Sequence, residues 1–283
     1  MYFRLAKTAM TVFAGVGALC LASAPAALAA PTSGSSFVPC NGYALQDAFD
    51  NASYGTTLIL APGCTYYLHD GLHTMTRVTI IGHDTTITQA RDAGGFTLLT
   101  VENCESADVT VINVNFTSGG SVYEGGAIYN DNELTVQGGT FSVNTAEYGG
   151  AIYNNGEMRV SGATFSHNSA EEGGAIYNDG PAEIEGAAFV WNQATGGDNY
   201  GGAIENDDSL YISRSGFLAN SAAWGGALYN DDTLHGSHLT IAGNAASSDG
   251  GGVYNDDETA SLSNSSVFGN SPDNCFDVPG CLG

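Results

Sequence analysis

Basic residues are scarce in this chain of 283 residues, which has six lysines and arginines against 30 aspartates and glutamates. Its only lysine, Lys7, lies near the N-terminus. A chain with so few cations is repelled by the phosphates of nucleic acids and by anionic surfaces. Few arginines are available to bind the carboxylates of uronate sugars in bidentate pairs. The composition therefore excludes nucleic-acid binding and disfavours a lyase that acts on acidic polysaccharides.

Helical periodicity is also missing. The repeated part of the chain has no run with apolar residues at positions i, i+3, i+4 and i+7, which an amphipathic helix requires. The 39 glycines of the chain would each destabilise a helix by roughly 1 kcal/mol relative to alanine. These two features argue against a helical or coiled-coil repeat. Phosphate-binding loops, dinucleotide fingerprints and nucleophile elbows are absent from the sequence too, so no common catalytic motif indicates an enzyme.

A six-residue motif, Gly-Gly-Ala-Ile-Tyr-Asn, recurs through the second half of the chain. Its copies, three identical and three altered, occupy residues 125–130, 149–154, 173–178, 201–206, 225–230 and 250–255. Successive copies start 24, 24, 28, 24 and 25 residues apart. A period of this length indicates one supersecondary unit stacked on itself rather than a globular core. The four extra residues of one repeat, at about 196–199, predict a loop on one turn.

A second marker, an apolar residue followed three positions later by asparagine, has the same period. It occurs at Phe141/Asn144, Phe165/Asn168, Phe189/Asn192, Phe217/Asn220, Ile241/Asn244 and Val267/Asn270. Between the markers, short alternating runs such as residues 133–136 predict strands, and glycine pairs predict turns. We therefore predict an all-β fold, a right-handed parallel β-helix (β-solenoid) with three strands and about 24 residues per coil. The right-handed sense follows because parallel crossovers almost always have it.

Stacking places equivalent residues of successive coils over one another. The two asparagine columns are expected to bond from coil to coil, because an asparagine side chain both donates and accepts hydrogen bonds. The expected core consists of the phenylalanine column and a column of Ile128, Ile152, Ile176, Ile204, Leu228 and Val253. A further column contains Tyr129, Tyr153, Tyr177, Glu205, Tyr229 and Tyr254. It allows two interpretations, an exposed face that binds a carbohydrate or protein, or a structural tyrosine stack.

Residues 1–29 are predicted to form a secretory signal peptide. Arg4 and Lys7 supply the positive start, and Ala27-Leu28-Ala29 supplies the small-residue cleavage site. The apolar stretch between them, at 9–22, is too short for a transmembrane helix. We therefore expect a secreted protein, extracellular or associated with the cell surface, whose mature form does not insert into the membrane.

The mature chain is predicted to have three segments. They are an N-terminal cap at 30–76 with a short helix at 44–52, a parallel β-helix of eight or nine coils at 77–270, and a C-terminal cap at 271–283. Caps are expected because the open strand edges of a solenoid invite aggregation. We expect disulfides between Cys40 and Cys64 and between Cys275 and Cys281, which leave Cys104 unpaired and buried.

Acidic residues are concentrated in the repeats of the mature chain, which has four arginines against 30 acids and a net charge of −26. Three adjacent coils carry aspartate pairs, Asp207/Asp208, Asp231/Asp232 and Asp256/Asp257. Six carboxylates in register repel one another unless a cation bridges them, and calcium prefers such oxygen ligands. The sequence favours the alternative, in which these aspartates are solvated turn residues bonded to their own backbone. Calcium is the only cofactor that the sequence suggests.

Histidines and adjacent acids are weaker candidates for a site. His69, His73 and His83 lie in the N-terminal part, and His235 and His238 lie close together later in the chain. Such pairs make poor metal sites, because structural zinc takes four ligands. Two neighbouring carboxylates can serve a glycosidase, but acids are so abundant here that such pairs arise without a catalytic role.

The two markers resemble those of the polymorphic outer-membrane-protein type repeat. They are clearest in residues 125–128 with 141–144 and continue to residues 267–270. The resemblance implies secreted or surface-exposed β-helices, many of them adhesin-like. Because 13 residues follow Asn270, we expect release into the medium rather than display by an autotransporter barrel.

The N-terminal part is similar to secreted bacterial right-handed β-helix proteins. The similarity rests on residues 45–49, 58–66 and 78–82. Pectate-lyase-like enzymes share this architecture, but their catalytic motifs are not found in the sequence, and a fold does not define a function.

We expect a secreted, monomeric, non-enzymatic β-helix that offers an adhesin-like, binding or structural surface to a glycan or a cell-surface protein. Two other functions stay open. One is a polysaccharide-active enzyme, pectate-lyase-like or a glycoside hydrolase, on the same fold. The other is a calcium-dependent structural rod. A cleft with a few carboxylates held in place would favour the enzyme, and a flat repeated face would favour the binding rod.

Overall fold

The structure, a computed structural model, describes residues 34–104, 106–197, 199–256 and 259–281. The predicted signal peptide at 1–29 lies outside these residues. One helix, α1, spans Gly42–Asp50 in the described part of the chain.

Short strands make up most of the described chain. The first ten are β1 Ser35–Val38, β2 Thr56–Leu60, β3 Thr65–Leu68, β4 Leu72–Thr74, β5 Val78–Gln89, β6 Leu99–Val101, β7 Asp108–Thr117, β8 Ile128–Asn130, β9 Glu133–Gln137 and β10 Thr140–Ser142. The next ten are β11 Ile152–Asn154, β12 Glu157–Ser161, β13 Thr164–Ser166, β14 Ser169–Ala170, β15 Ile176–Asn178, β16 Ala182–Glu185, β17 Ala188–Val190, β18 Gln193–Ala194, β19 Ile204–Asn206 and β20 Ser209–Ser213. The last ten are β21 Gly216–Leu218, β22 Ser221–Trp224, β23 Leu228–Asn230, β24 Thr233–Ser237, β25 Thr240–Ala242, β26 Ala245–Asp249, β27 Val253–Asn255, β28 Ala260–Ser263, β29 Ser266–Phe268 and β30 Cys275–Phe276.

Every repeat forms one coil of a parallel β-helix. Equivalent strands pair in register, so that Ile152 lies between Ile128 and Ile176. Over the described residues the strands form sheets of 17, nine and four strands. The 17-stranded sheet, the first sheet below, takes two strands per coil. The nine-stranded sheet, the second sheet, takes one, and the four-stranded sheet adds a short fourth strand to four coils. The parallel β-helix with about 24 residues per turn is thus confirmed, while its right-handed sense stays a prediction.

The coils begin earlier in the chain than the sequence suggested. The structure has about ten turns, more than the eight or nine expected. The extra coil arises because β2 and β3 pair with β5, and β4 pairs with β6. The predicted boundary at residue 77 therefore falls inside the stack. The expected loop at 196–199 follows β18, and its described residues are outside the strands.

Two stacked columns fill the interior, as predicted. Phe116, Phe141, Phe165, Phe189 and Phe217 are buried, and their neighbouring ring centroids lie 4.8 to 5.3 Å apart. The isoleucine column is inaccessible to solvent from Ile128 to Val253. Each buried side chain of this size contributes roughly 1.5–3 kcal/mol to folding. Because every coil contributes the same residues, the core extends along the axis without a break.

Both asparagine columns form continuous hydrogen-bonded ladders. In the first, the Nδ2 atom of each asparagine donates to Oδ1 of the next, over 2.6 to 2.8 Å from Asn130 to Asn255. In the second, the corresponding distances from Asn144 to Asn270 are 2.9 to 3.0 Å. The described asparagines before the last coil are buried, where an unpaired amide would destabilise the fold. The ladders thus satisfy the polar groups that the turns bring inside.

Steric constraints explain why the Gly-Gly-Ala-Ile-Tyr-Asn motif begins with two glycines. Gly149 has a φ of 61°, a left-handed conformation that disfavours residues with a Cβ. A Cβ on its neighbour Gly150 would lie only 2.7 Å from the carbonyl oxygen of Ser169 in the next coil. The pair therefore allows the tight turn and the close approach of two coils at once.

Both ends of the described chain carry a disulfide. The helix α1 starts at Gly42, two residues before the predicted start, because the side chain of Asn41 accepts hydrogen bonds from the first amide groups. The disulfides Cys40–Cys64 and Cys275–Cys281 are present as predicted. The expectation for Cys104 was half wrong: this residue is buried, but it is disulfide-bonded rather than unpaired.

Candidate functional site

Two outward surfaces of the repeats carry chemically notable side chains. The first, the tyrosine face, consists of the middle residues of the three-residue strands in the second sheet: Tyr129, Tyr153, Tyr177, Glu205, Tyr229 and Tyr254. Neighbouring tyrosine rings stack nearly parallel with centroids 5.2 to 5.6 Å apart. Phe276 extends the stack beyond Tyr254 at 4.6 Å. The face of each ring is therefore largely covered by the next ring.

Aspartates of the predicted calcium ladder are bound to this tyrosine stack. The hydroxyl of Tyr177 donates to Asp207 Oδ2 over 2.5 Å, and the hydroxyl of Tyr229 donates to Asp256 Oδ2 over 2.8 Å. In each case the aspartate lies in the next coil, two positions after the residue that pairs in register with the tyrosine. Asp231, the first member of the middle pair, is half-buried. It lies two positions after Tyr229, whose equivalent in the preceding coil is Glu205 instead of a tyrosine. Asp207 and Asp256 thus tie one coil to the next.

The second aspartates of the first two pairs have a different, local role. Asp208 Oδ1 accepts a hydrogen bond from the amide of Ser209, and Asp232 Oδ1 accepts one from the hydroxyl of Thr233. Asp257, which completes the predicted ladder, lies outside the described residues. Within the part of the chain that the structure describes, no three His, Cys, Asp or Glu side chains are grouped to hold a metal ion. The calcium ladder therefore stays a prediction.

Burial of the tyrosine face shifts the ionisation of its acids. Burial raises the pKa of Asp207 to about 6, opposed by the hydrogen bond from Tyr177 and assisted by nearby acids, of which Asp231 has the largest effect. Burial likewise raises the pKa of Asp131 and of Asp179. The pKa of Tyr177 is raised by burial and then by the charge of Asp207, so that its hydroxyl keeps its proton and donates. These shifts mark a face where charge is poorly solvated.

The geometry of the tyrosine face is that of a structural stack. Beside the ring-to-ring contacts, Tyr148 packs edge-on against Tyr177 at 5.4 Å, and Trp224 packs edge-on against Tyr254 at 5.2 Å. Of the two interpretations of this column, the structural one fits these contacts, since a ligand would find covered rings and engaged hydroxyls.

The second surface is a groove on the first sheet, whereas the tyrosine face lies on the second sheet. It follows the outer face of the first sheet across β9, β12, β16, β20, β24 and β28, encloses about 590 Å³, and is called the Arg159 groove below. The side chains that point into it are Thr135, Gln137, Arg159, Ser161, Glu183, Glu185, Tyr211, Ser213, His235, Ser237, Ser261 and Ser263. Sequence reasoning recognised these strands but missed the groove, because its outward positions carry no repeated residue.

Charges in the Arg159 groove are arranged in ion pairs. Arg159 lies 3.6 Å from Glu133 and 3.7 Å from Glu183, and it also contacts Glu157. Arg214, beside the groove, pairs with Glu185. These are two of the five arginines in the chain. Surface ion pairs of this kind contribute little to stability, but the two arginines offset part of the negative charge of the four glutamates that they contact.

An exposed aromatic pair lies farther along the same groove. The ring centroids of Tyr211 and His235 are 5.0 Å apart, with the planes tilted by 35°. Tyr211 is 53% exposed, unlike the tyrosines of the stacked face. The Nδ1 atom of His235 lies 2.9 Å from the hydroxyl of Ser261. The groove therefore combines an open aromatic ring with many hydroxyl groups.

The remaining histidines have separate surroundings. His69 stacks on Tyr43 and lies 3.6 Å from Asp92. A hydrogen bond that His73 donates to the carboxylate of Glu102 raises the pKa of His73. His83 borders a shallow depression at one corner of the early coils, and His238 occupies a left-handed corner position with a φ of 54°. The histidines named from the sequence are thus not brought together.

Comparison with known proteins agrees with this architecture. A family model of the Chlamydia polymorphic membrane protein repeat matches residues 162–179, which span one Phe-x-x-Asn marker and one Gly-Gly-Ala-Ile-Tyr-Asn motif. No curated protein and no solved structure matches the chain. The chain is a parallel β-solenoid protein. More particularly, it is a β-helix with about 24 residues per turn, one stretch of which, residues 162–179, is similar to the Chlamydia polymorphic membrane protein repeat.

The repeat and the fold fit a surface or binding role. Across the described residues, no helix is both long enough and apolar enough to span a bilayer.

Proposed function

We propose that this protein is a secreted, non-enzymatic binding rod that uses the Arg159 groove to attach to a glycan or protein on a surface. The observation that carries the proposal is the groove itself. It is a continuous concave surface along the rod, whereas the tyrosine face has its rings and hydroxyls already engaged. Concave surfaces are the usual ligand sites of proteins.

The elongated scaffold supports such a role. Repeat proteins present long surfaces built from equivalent positions, and their outward residues vary without disturbing the core. In the Arg159 groove, one register position carries Arg159, Glu183, Tyr211 and His235 in successive coils. Different side chains at one register position are expected when the core is the same in every coil but the surface is adapted to a particular ligand.

The test uses the secreted protein, expected to begin at Ala30, on an array that carries glycans and extracellular matrix proteins. Glu183→Arg places a bulky opposite charge in the groove, whereas Glu171→Arg makes the same charge change at an exposed position that does not line it. We expect the first substitution to abolish binding and the second to preserve it. Binding that survives Glu183→Arg would refute the role of the groove. Release of new reducing ends from a bound polysaccharide would instead support the alternative function, a polysaccharide-active enzyme.

A further inference from the structure

We infer that the Arg159 groove binds an uncharged oligosaccharide that runs along the axis of the β-helix, with Tyr211 as the stacking platform for a sugar ring. The inference rests on the proposed binding function and specifies its ligand. It follows from the shape of the groove, from the state of its backbone, from its charges and from its exposed aromatic pair.

The dimensions of the groove fit a chain rather than a single small molecule. It crosses six neighbouring strands, which at about 4.8 Å per strand spacing gives a length of about 24 Å. The volume of about 590 Å³ is spread along this length, so the groove is long and shallow. A linear ligand of several units contacts such a surface along its whole length.

The backbone of the groove favours a sugar over an extended peptide. Peptides commonly bind to sheets by adding a strand to an edge, where main-chain groups are unpaired. The groove lies on the face of the sheet, and its central strands β12, β16, β20 and β24 each pair in register with a strand on both sides. A ligand therefore meets side chains, and those are mostly hydroxyl, amide, carboxylate and guanidinium groups that exchange hydrogen bonds with sugar hydroxyls.

The charges of the groove favour a neutral glycan over an acidic one. An anionic polymer approaches a protein with a net charge of −24 against electrostatic repulsion, and Glu133, Glu157 and Glu183 already surround Arg159. Paired carboxylates and guanidinium groups still have free lone pairs and N–H groups, which bond uncharged hydroxyls without displacing the ion pairs.

The aromatic pair supplies the apolar part of the site. A pyranose ring has hydroxyls at its edge and C–H groups on its faces, and an aromatic ring covers those C–H groups while its own polar tip stays hydrated. Tyr211 stands at the same register position as Glu183 in the coil before and His235 in the coil after. Its neighbour His235 is tilted by 35° instead of lying parallel, and more than half of Tyr211 is exposed.

The test compares neutral and acidic glycans on two matched variants. Tyr211→Ala removes the platform, and Tyr67→Ala removes a tyrosine of similar exposure, 55%, on the early strand β3 outside the groove. The probes are immobilised mannan, β-glucan and xylan as neutral glycans, and polygalacturonate and hyaluronan as acidic ones. We expect the wild-type protein and Tyr67→Ala to bind a neutral probe, and Tyr211→Ala to bind it at least about tenfold more weakly. Both variants should keep the wild-type melting temperature.

Outcomes against the inference differ from outcomes against the binding function. Full binding by Tyr211→Ala, preference for an acidic glycan, or binding only to a matrix protein would overturn the neutral-oligosaccharide assignment. In any of these three cases, the proposed binding function of the groove still stands if Glu183→Arg abolishes the binding that the wild-type protein shows. If the protein binds none of the probes, the oligosaccharide assignment is overturned, and if no matrix protein binds either, both proposals fall.

Discussion

Replacing Asp207 by asparagine should make the protein more stable at neutral pH. Burial raises the pKa of this carboxyl from 3.8 to about 6, a difference of roughly two units that corresponds to about 3 kcal/mol between the two protonation states. Asp207 keeps partial contact with solvent, which reduces this figure, so we expect a gain of about 1–2 kcal/mol. Asparagine retains an oxygen that accepts the hydrogen bond from Tyr177.

The gain should depend on pH in a defined direction. The folded state holds a proton on Asp207 more tightly than the unfolded state does, so folding takes up protons between about pH 4 and 6. The wild-type protein therefore becomes more stable as the pH falls through about 6, and this contribution is complete near pH 4. Asp207→Asn lacks this contribution at every pH. Its advantage over the wild type should be largest above pH 7 and should vanish near pH 4.

Urea unfolding from pH 7.5 to 4 measures this difference. Asp232→Asn is the matched control, because it removes one negative charge from an exposed turn position in the next coil. Equal stabilities of the two variants at pH 7.5 would mean that the gain comes only from lower net charge. A difference from the wild type that stays constant or grows on acidification would refute the assignment to the titration of Asp207.

Three further perturbations test the core, the ends and the calcium ladder. Ile176→Asp puts a charge into a fully buried column and should destabilise the protein by about 4 kcal/mol or more, against about 1 kcal/mol for Ile176→Val; similar melting curves would show that the column is not interior. Reduction of Cys40–Cys64, whose residues are 24 apart, should destabilise the N-terminal end by about 3 kcal/mol, seen as faster amide exchange there than in the central coils; uniform acceleration would contradict a capping role. Calcium should raise the melting temperature modestly above sodium at matched ionic strength, and changing the six paired aspartates to asparagine should abolish the difference; identical shifts in both salts would leave them as turn residues.

The repeated columns were predictable because stacking converts a sequence period into a spatial contact. Phe165 meets Phe141 and Phe189, and Asn168 bonds Asn192, for no other reason than their spacing of 24 residues. The same argument applies to each member of a column, so the core and both ladders follow from the sequence.

Contacts between different columns were not predictable in this way. The bond from Tyr177 to Asp207 joins residues 30 positions apart, an offset that depends on how the turn after β19 directs its side chains. The Arg159 groove is hidden for another reason: its residues share a position but not a chemical type, so they leave no periodic signal. The coil formed by β2, β3 and β4 was missed because residues 56–74 contain neither of the two repeated markers.

The direction of the asparagine ladders has a consequence for the evolution of this protein. Every link in the second ladder points the same way, and its ends are closed by residues outside the marker, by the amide of Gly119 bonding to Asn144 Oδ1 and by Asn270 donating to Asn274. Duplication or loss of one whole coil adds or removes one identical link and leaves no buried amide unpaired. A change by part of a coil breaks both ladders together. Duplications or deletions of whole coils can therefore lengthen or shorten the stack at little cost to folding.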